Sequence, residues 1–227
     1  ATMSPATFPT DWSTALVLVA HPDDPEYGMA AAVARWTSEG KRVVYALATS
    51  GEVGIEGMPA ETAGPLREGE QIASAAVVGV EEVEFWGFPD SQVVNSPELR
   101  AKVTEVIERV QPEIILCTYG GPGWGPDRPN QRDHMEFAAA VIDAYDELPG
   151  VTAQFFWNGP APTHAVDVTG FTESAVESLA CHRVYLEVLD PETPVIDQAR
   201  AQVQWSTAPI DGFDAADASG FELIRPK

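Results

Sequence analysis

Ala15-Leu16-Val17-Leu18-Val19-Ala20-His21-Pro22-Asp23-Asp24-Pro25-Glu26 joins an unbroken apolar run to a histidine and three carboxylates. An apolar run of this length, bounded by a turn signal, reads as a strand buried on both faces, the kind that parallel sheets carry. The His-Pro-Asp-Asp behind it stands at the C-terminal end of a first strand, where open α/β sheets keep their chemistry. Asp24, Pro25 and Glu26 also make an ordinary helix start, because Asp caps, Pro suits the first helical position and Glu favours the positive helix end. That reading leaves His21 and one aspartate unexplained, and these can supply metal ligands and a base.

Working outward, strand-like and helix-like patterns alternate. Strands are expected over residues 15–20, 43–48, 83–86, 114–118, 154–157 and 164–168, and helices over 29–39, 66–78, 97–110, 134–148, 171–189 and 195–205. Strands separated by helices of this length imply an α/β fold, a Rossmann-like, mostly parallel sheet with helices on both faces. No repeat or low-complexity tract divides the chain, so residues 1–227 are expected to form one domain, with 190–227 as a C-terminal covering segment that could take part in a homo-oligomer contact. Long Gly- and Pro-rich stretches follow three strands, at 49–65, 87–96 and 119–132, and should converge as binding loops near His21.

Composition narrows the function. The chain carries 35 acidic against 13 basic residues, a formal charge of -22, and such a surface repels nucleic acid and anionic membranes. Nucleic acid is therefore excluded as a partner. No apolar stretch approaches the length of a membrane span, and residues 1–12 lack the regions of a signal peptide, which makes a cytoplasmic protein the expectation. Cys117 and Cys181 lie far apart, form no CxxC or Cys-His spacing, and read as core residues. A dinucleotide site would need GxGxxG after the first strand, and His-Pro-Asp-Asp stands there instead.

A catalytic zinc site usually draws three ligands from His, Asp and Glu and leaves a fourth position open. His21 and Asp24 offer two. The third should come from a distant loop at the same sheet edge, where His134 is best placed, with Asp133 beside it to orient the ring or tune its basicity.

Together these motifs resemble the LmbE-like, or PIG-L, zinc deacetylases, which include the N-acetylglucosaminyl-phosphatidylinositol deacetylase and the mycothiol- and bacillithiol-pathway deacetylases. The resemblance spans residues 15–189. It rests on Ala20 to Asp24, Thr49-Ser50-Gly51-Glu52-Val53-Gly54, Arg67 with Glu70, Gly87-Phe88-Pro89-Asp90, Asp133-His134 and a late helix carrying His182. It implies that His21, Asp24 and His134 bind Zn2+, or another divalent ion such as Fe2+, and that Asp23 is the general base in hydrolysis of an acetamide on a small amino-sugar conjugate. Arg67 and Asp90 resemble residues that hold substrate hydroxyl or phosphate groups. Arg67 could equally pair with Glu70 on a helix surface, and Asp90 could close a Pro-Asp-Ser turn. Trp124, in a Gly-Pro loop, is the aromatic best suited to stack on a sugar, whereas Trp86 and Trp157 lie in strand patterns and read as core. His164 and His182 read as structural.

Two departures stand out. Family members commonly have His-Pro-Asp-His at the third ligand, the first histidine helping to stabilise the oxyanion, whereas this chain has Gln131-Arg132-Asp133-His134. Gln131 can donate a hydrogen bond but cannot carry the imidazolium charge. The other departure is Pro25, where the family often has Glu. Besides the deacetylase, the alternatives are an amidase of the same family cleaving a thiol-sugar conjugate and a non-catalytic sugar-binding protein on the same fold.

Overall fold

The computed structural model describes residues 3–226. The apolar run forms β2 (Thr14–Val19), and its side chains alternate between two cores: Ala15, Val17 and Val19 enter one, Leu16, Leu18 and Ala20 the other. Burial on both faces is why the run is continuous rather than alternating. β2 lies between β3 (Arg42–Leu47) and β5 (Ile114–Cys117), parallel to both, with Leu16 opposite Val44 and Ile115.

The eight-stranded sheet has the order β1-β7-β8-β6-β5-β2-β3-β4. Its other members are β1 (Ala6–Thr7), β4 (Glu82–Phe85), β6 (Gln154–Trp157), β7 (His164–Asp167) and β8 (Ala218–Arg225). All neighbours run parallel except β8, which is antiparallel to both β6 and β7. Strand order steps from β2 to β3 and β4 on one side and jumps to β5 and β6 on the other. The gap between β2 and β5 is therefore a topological switch point, where loops leaving the strand ends separate and open a crevice.

Helices cover both faces. One core is closed by α1 (Ala30–Ser38), α2 (Ala60–Val77), α5 (Thr172–Ala180), α6 (Arg183–Leu189) and α7 (Val195–Ser206). The other is closed by α3 (Pro97–Val110) and α4 (Arg132–Glu147). α3 follows its sequence closely: the Ser96 hydroxyl accepts from Leu99 N at 3.1 Å, Pro97 opens the helix, and Leu99, Val103, Val106, Ile107 and Val110 form its buried stripe. That spacing is the 3.6-residue period of a helix facing a core.

Besides β1, which no sequence pattern announces, three elements differ from expectation. α2 begins at Ala60 rather than residue 66, with Pro65 inside it; the missing N–H deprives only the carbonyl of the exposed Glu61, which water can satisfy. The helix expected over 171–189 breaks at Cys181–His182 into α5 and α6. Residues 218–225 do not lie over the sheet but inside it, as β8. The covering role belongs to α7, whose Ala199 and Val203 are buried.

Candidate metal centre

The chain turns as soon as β2 ends. Asp24 N–H donates to the His21 carbonyl at 3.2 Å, and Asp23 takes φ 80, ψ -22, in the left-handed region. A non-glycine residue there costs roughly 1–2 kcal/mol, so the surroundings must hold it. Asp23 N–H donates to Gln71 Oε1 at 2.9 Å. Asp24 Oδ2 accepts from the backbone N–H of Ala20 and His21 at 3.1 and 2.8 Å, and Thr49 Oγ1 donates to the Ala20 carbonyl at 2.9 Å.

This turn aims His21 and Asp24 at one point, and α4 brings His134 to it. His21 Nδ1 lies 3.3 Å from His134 Nε2, which lies 3.2 Å from Asp24 Oδ1, and His21 Nδ1 is 3.6 Å from Asp24 Oδ2. Donors bound at 2.0–2.1 Å around a tetrahedral ion are about 3.4 Å apart, so the three side chains already stand at about that spacing, Asp24 through Oδ1 toward His134 and through Oδ2 toward His21. The remaining ring nitrogens point outward to partners of their own. His21 Nε2 meets Asp133 Oδ2 at 2.9 Å and Asp90 Oδ1 at 3.2 Å, while His134 Nδ1 meets Asn130 Oδ1 at 3.3 Å. If those nitrogens carry the protons, the facing pair presents lone pair to lone pair, which a cation between them reconciles. The donor set fits a divalent metal.

Charge balance says the same. Burial alone would lower the His21 pKa, but its hydrogen bonds to Asp133, Asp24 and Asp90 push it up to about 12. Three carboxylates thus converge on one ring and favour a positive charge beside them, which either a proton or a metal ion supplies. Burial likewise opposes ionisation of Asp24, yet His134 and His21 hold it well below the usual carboxylate range. Its neighbour behaves oppositely: burial pushes Asp23 up to about 7, with Arg67 pulling down and Asp24 pushing up. Two adjacent aspartates are driven apart in acidity, as acid–base sites require.

Arg67 is only 3% exposed, and α2 aims it inward. Its guanidinium donates to the carbonyls of Gly51 at 3.1 Å and Pro22 at 3.0 Å, reaches Asp23 Oδ2 at 3.4 Å, and lies 4.1 Å over the Tyr185 ring. The alternative pairing with Glu70 is not made, since Glu70 Oε2 accepts from Val184 N at 2.8 Å. Asp90 is likewise drawn inside: besides His21, its Oδ2 accepts from Val53 N at 3.0 Å. Both residues expected to hold substrate are therefore engaged within the protein.

Asp133 is corrected too. It serves His21, not the adjacent His134, and its oxygens also accept from Ser91 N at 2.9 Å and Val93 N at 3.1 Å. Adjacent residues on a helix point about 100° apart, so Asp133 cannot reach behind its own neighbour's ring. That ring is served by Asn130, which the sequence reading passed over although it stands four residues before His134, one helical turn away. Gln131 is exposed at the N-cap of α4, and its side chain makes no capping bond. Trp124 packs against Tyr119 at 5.0 Å between ring centroids, and Tyr119 lies edge-on to Trp157 at 5.4 Å. Of the three expected stretches, 49–59 meets 87–96, where Glu52 Oε2 accepts from Asp90 N at 2.8 Å; Ser91 is tied to Asp133, just past the third stretch, within which Asn130 faces His134, while residues 60–65 belong to α2.

The sequence is 28% identical over 167 residues to diacetylchitobiose deacetylase of Thermococcus kodakarensis, covering 71% of this chain and 60% of that protein. It is 25% identical over 219 residues to a probable N-acetyl-alpha-D-glucosaminyl L-malate deacetylase 2 of Bacillus cereus, covering 92% and 94%. The chain thus spans less than two thirds of the first relative and nearly all of the second. Among solved structures, N,N'-diacetylchitobiose deacetylase from Pyrococcus horikoshii superposes with a TM-score of 0.77 at 20% identity, covering 95% and 85% of the two chains. GalB, a 4-carboxy-2-hydroxymuconate hydratase from Pseudomonas putida, superposes with a TM-score of 0.68 at 19% identity, covering 95% and 97%, so the fold alone does not fix the reaction. The family model for PIG-L, GlcNAc-PI de-N-acetylase, matches residues 16–145, more than half of the chain and the stretch that holds the whole His21, Asp24 and His134 cluster, and the chain belongs to that family.

Proposed function

We propose that this protein is a metal-dependent amide hydrolase that removes the acetyl group from an N-acetylglucosamine-type conjugate. One observation carries the reading: Asp24 joins His21 and His134 at a common point, while Asp23, the next residue, stays outside that triad with its carboxyl near neutrality. The relatives named as deacetylases of N-acetyl amino sugars support the substrate class.

His21, Asp24 and His134 would hold the ion, Zn2+ in the first instance. When bound, a divalent ion there raises the acidity of water and polarises the acetamide carbonyl. Asp133 and Asp90 fix the ring of His21, and Asn130 fixes that of His134, so that both imidazoles present their free nitrogens inward. Asp23 accepts the proton of the attacking water and returns it to the sugar nitrogen as the carbon–nitrogen bond breaks, releasing acetate and an amine. Arg67 keeps part of the Asp23 population ionised despite burial. Gln131 has an amide N–H to offer the carbonyl oxygen, and Trp124 on its Tyr119 support offers a ring to the apolar face of a sugar.

The test is acetate release from a panel of N-acetylglucosamine conjugates, with bound metal measured on the same samples. Metal-dependent release is expected. Conjugates that bind in calorimetry without any turnover would instead establish a sugar-binding protein. Cleavage confined to acyl groups of a thiol-sugar conjugate would establish the amidase.

A further inference from the structure

The mechanism above makes no use of a buried group of polar side chains behind the site. Glu26 and His182 are 1% and 0% exposed, and His182 Nε2 lies 2.5 Å from Glu26 Oε1. Gln71, also 0% exposed, donates from Nε2 to the other oxygen, Glu26 Oε2, at 3.3 Å, and its Oε1 accepts the backbone N–H of Asp23 at 2.9 Å. The sense of these bonds is forced. A carboxylate only accepts, so Gln71 must turn its NH2 to Glu26 and its oxygen to Asp23. Flipped, the amide would face Asp23 N–H donor to donor.

We propose that His182 is a positioning residue for Asp23, acting through Glu26 and Gln71 to hold the aspartate backbone in its left-handed turn. The inference rests on the reading of Asp23 as the base. His182 keeps the Glu26 carboxylate in one rotamer, Glu26 sets which way the Gln71 amide faces, and Gln71 holds a backbone conformation that aspartate would otherwise leave. The frame around this relay is tied together across three helices. Ser74 and Ser178 exchange buried bonds of 2.6 and 2.8 Å between α2 and α5, and Glu70 receives Val184 N from α6. His182 sits at the break between α5 and α6, and its Nδ1 has no hydrogen-bond partner among the described residues, so its polar bonding is directed at Glu26.

The first measurement is residue-resolved amide hydrogen exchange at Asp23, which reads the relay whether or not the chain is an enzyme. His182→Leu and Gln71→Met should speed that exchange about tenfold or more, and His182→Gln, whose amide can still donate to Glu26, should largely restore protection. On the metal-loaded protein, kcat for acetate release should fall about 10- to 100-fold in the first two variants with KM within about twofold, and should recover to about a third of wild type in His182→Gln. In an Asp23→Asn background the same His182→Leu change should alter the residual rate by less than about twofold. Unchanged exchange at Asp23, or an equal loss of rate with and without the Asp23 carboxylate, overturns the proposal. Gln71→Met and His182→Gln decide it by the same criteria should His182→Leu not fold. Wild-type protein that releases no acetate would sink the enzymatic reading while leaving the exchange result to judge the relay.

Discussion

Asp23, the proposed general base, destabilises the metal-free fold. Its carboxyl, about 4 in an unfolded chain, is pushed up to about 7 by burial. Between those values the folded protein keeps a proton that the unfolded chain has released, so stability falls as pH rises from about 4 to about 7. Asp23→Asn removes that slope. Metal-free Asp23→Asn should melt a few degrees above wild type near pH 8, with the gain fading towards about pH 4, as thermal unfolding across that range will show. Arg67 acts on the same group with the opposite sign, since its charge favours the ionised aspartate. Arg67→Met should therefore shift the acidic limb of the kcat/KM profile to higher pH by about one unit. Histidine–carboxylate adjacency made this much legible in the sequence. The division between the aspartates was legible only through the family resemblance, because nothing local says which of two neighbours turns inward.

At the scale of elements, the loops after the strands hold the rings of His21 and His134. Asn130 bridges the two, donating to the carbonyls of Tyr119 and Gly121 at 2.8 and 2.9 Å while its oxygen faces His134 Nδ1 at 3.3 Å. Asn130→Ala should weaken metal binding about 10- to 100-fold in chelator competition, as loss of such outer partners commonly does. Gly51 has φ +60, and a Cβ there would run into the Arg67 guanidinium. Gly51→Ala should cost about 1–3 kcal/mol in denaturant unfolding. The parallel strands could be read from their apolar runs because each is buried on both faces. β8 could not, since Gly220 interrupts it and its partners β6 and β7 lie some sixty residues away in sequence. Pro65 misled the reading of α2, and the inward course of Arg67 and Asp90 depends on loop packing that no spacing rule expresses.

The whole molecule adds a field. With a formal charge of -22, and with Arg128 and Arg132 the only Lys or Arg in residues 49–59, 87–96 and 119–132, the field of the whole molecule repels anions. Arg67, behind it, is committed to Asp23 and two carbonyls. KM for conjugates bearing a carboxylate or phosphate should fall as ionic strength rises, while KM for neutral conjugates should hardly change, which a salt series in steady-state kinetics will show. The sheet places β2 beside β5 and opens the switch-point crevice where His21 and His134 meet, although 112 positions separate His21 from Asp133, which orients it. The proposed function rests on a division of labour there, Asp24 for the ion and Asp23 for the proton. Bound zinc per chain and the rate of acetate release, measured together on wild type, Asp23→Asn and Asp24→Asn, test it most directly. Asp23→Asn should keep its ion and lose turnover by about a hundredfold or more, whereas Asp24→Asn should lose the ion itself. Turnover within about threefold of wild type in Asp23→Asn, or an ion held as tightly by Asp24→Asn, would contradict that division.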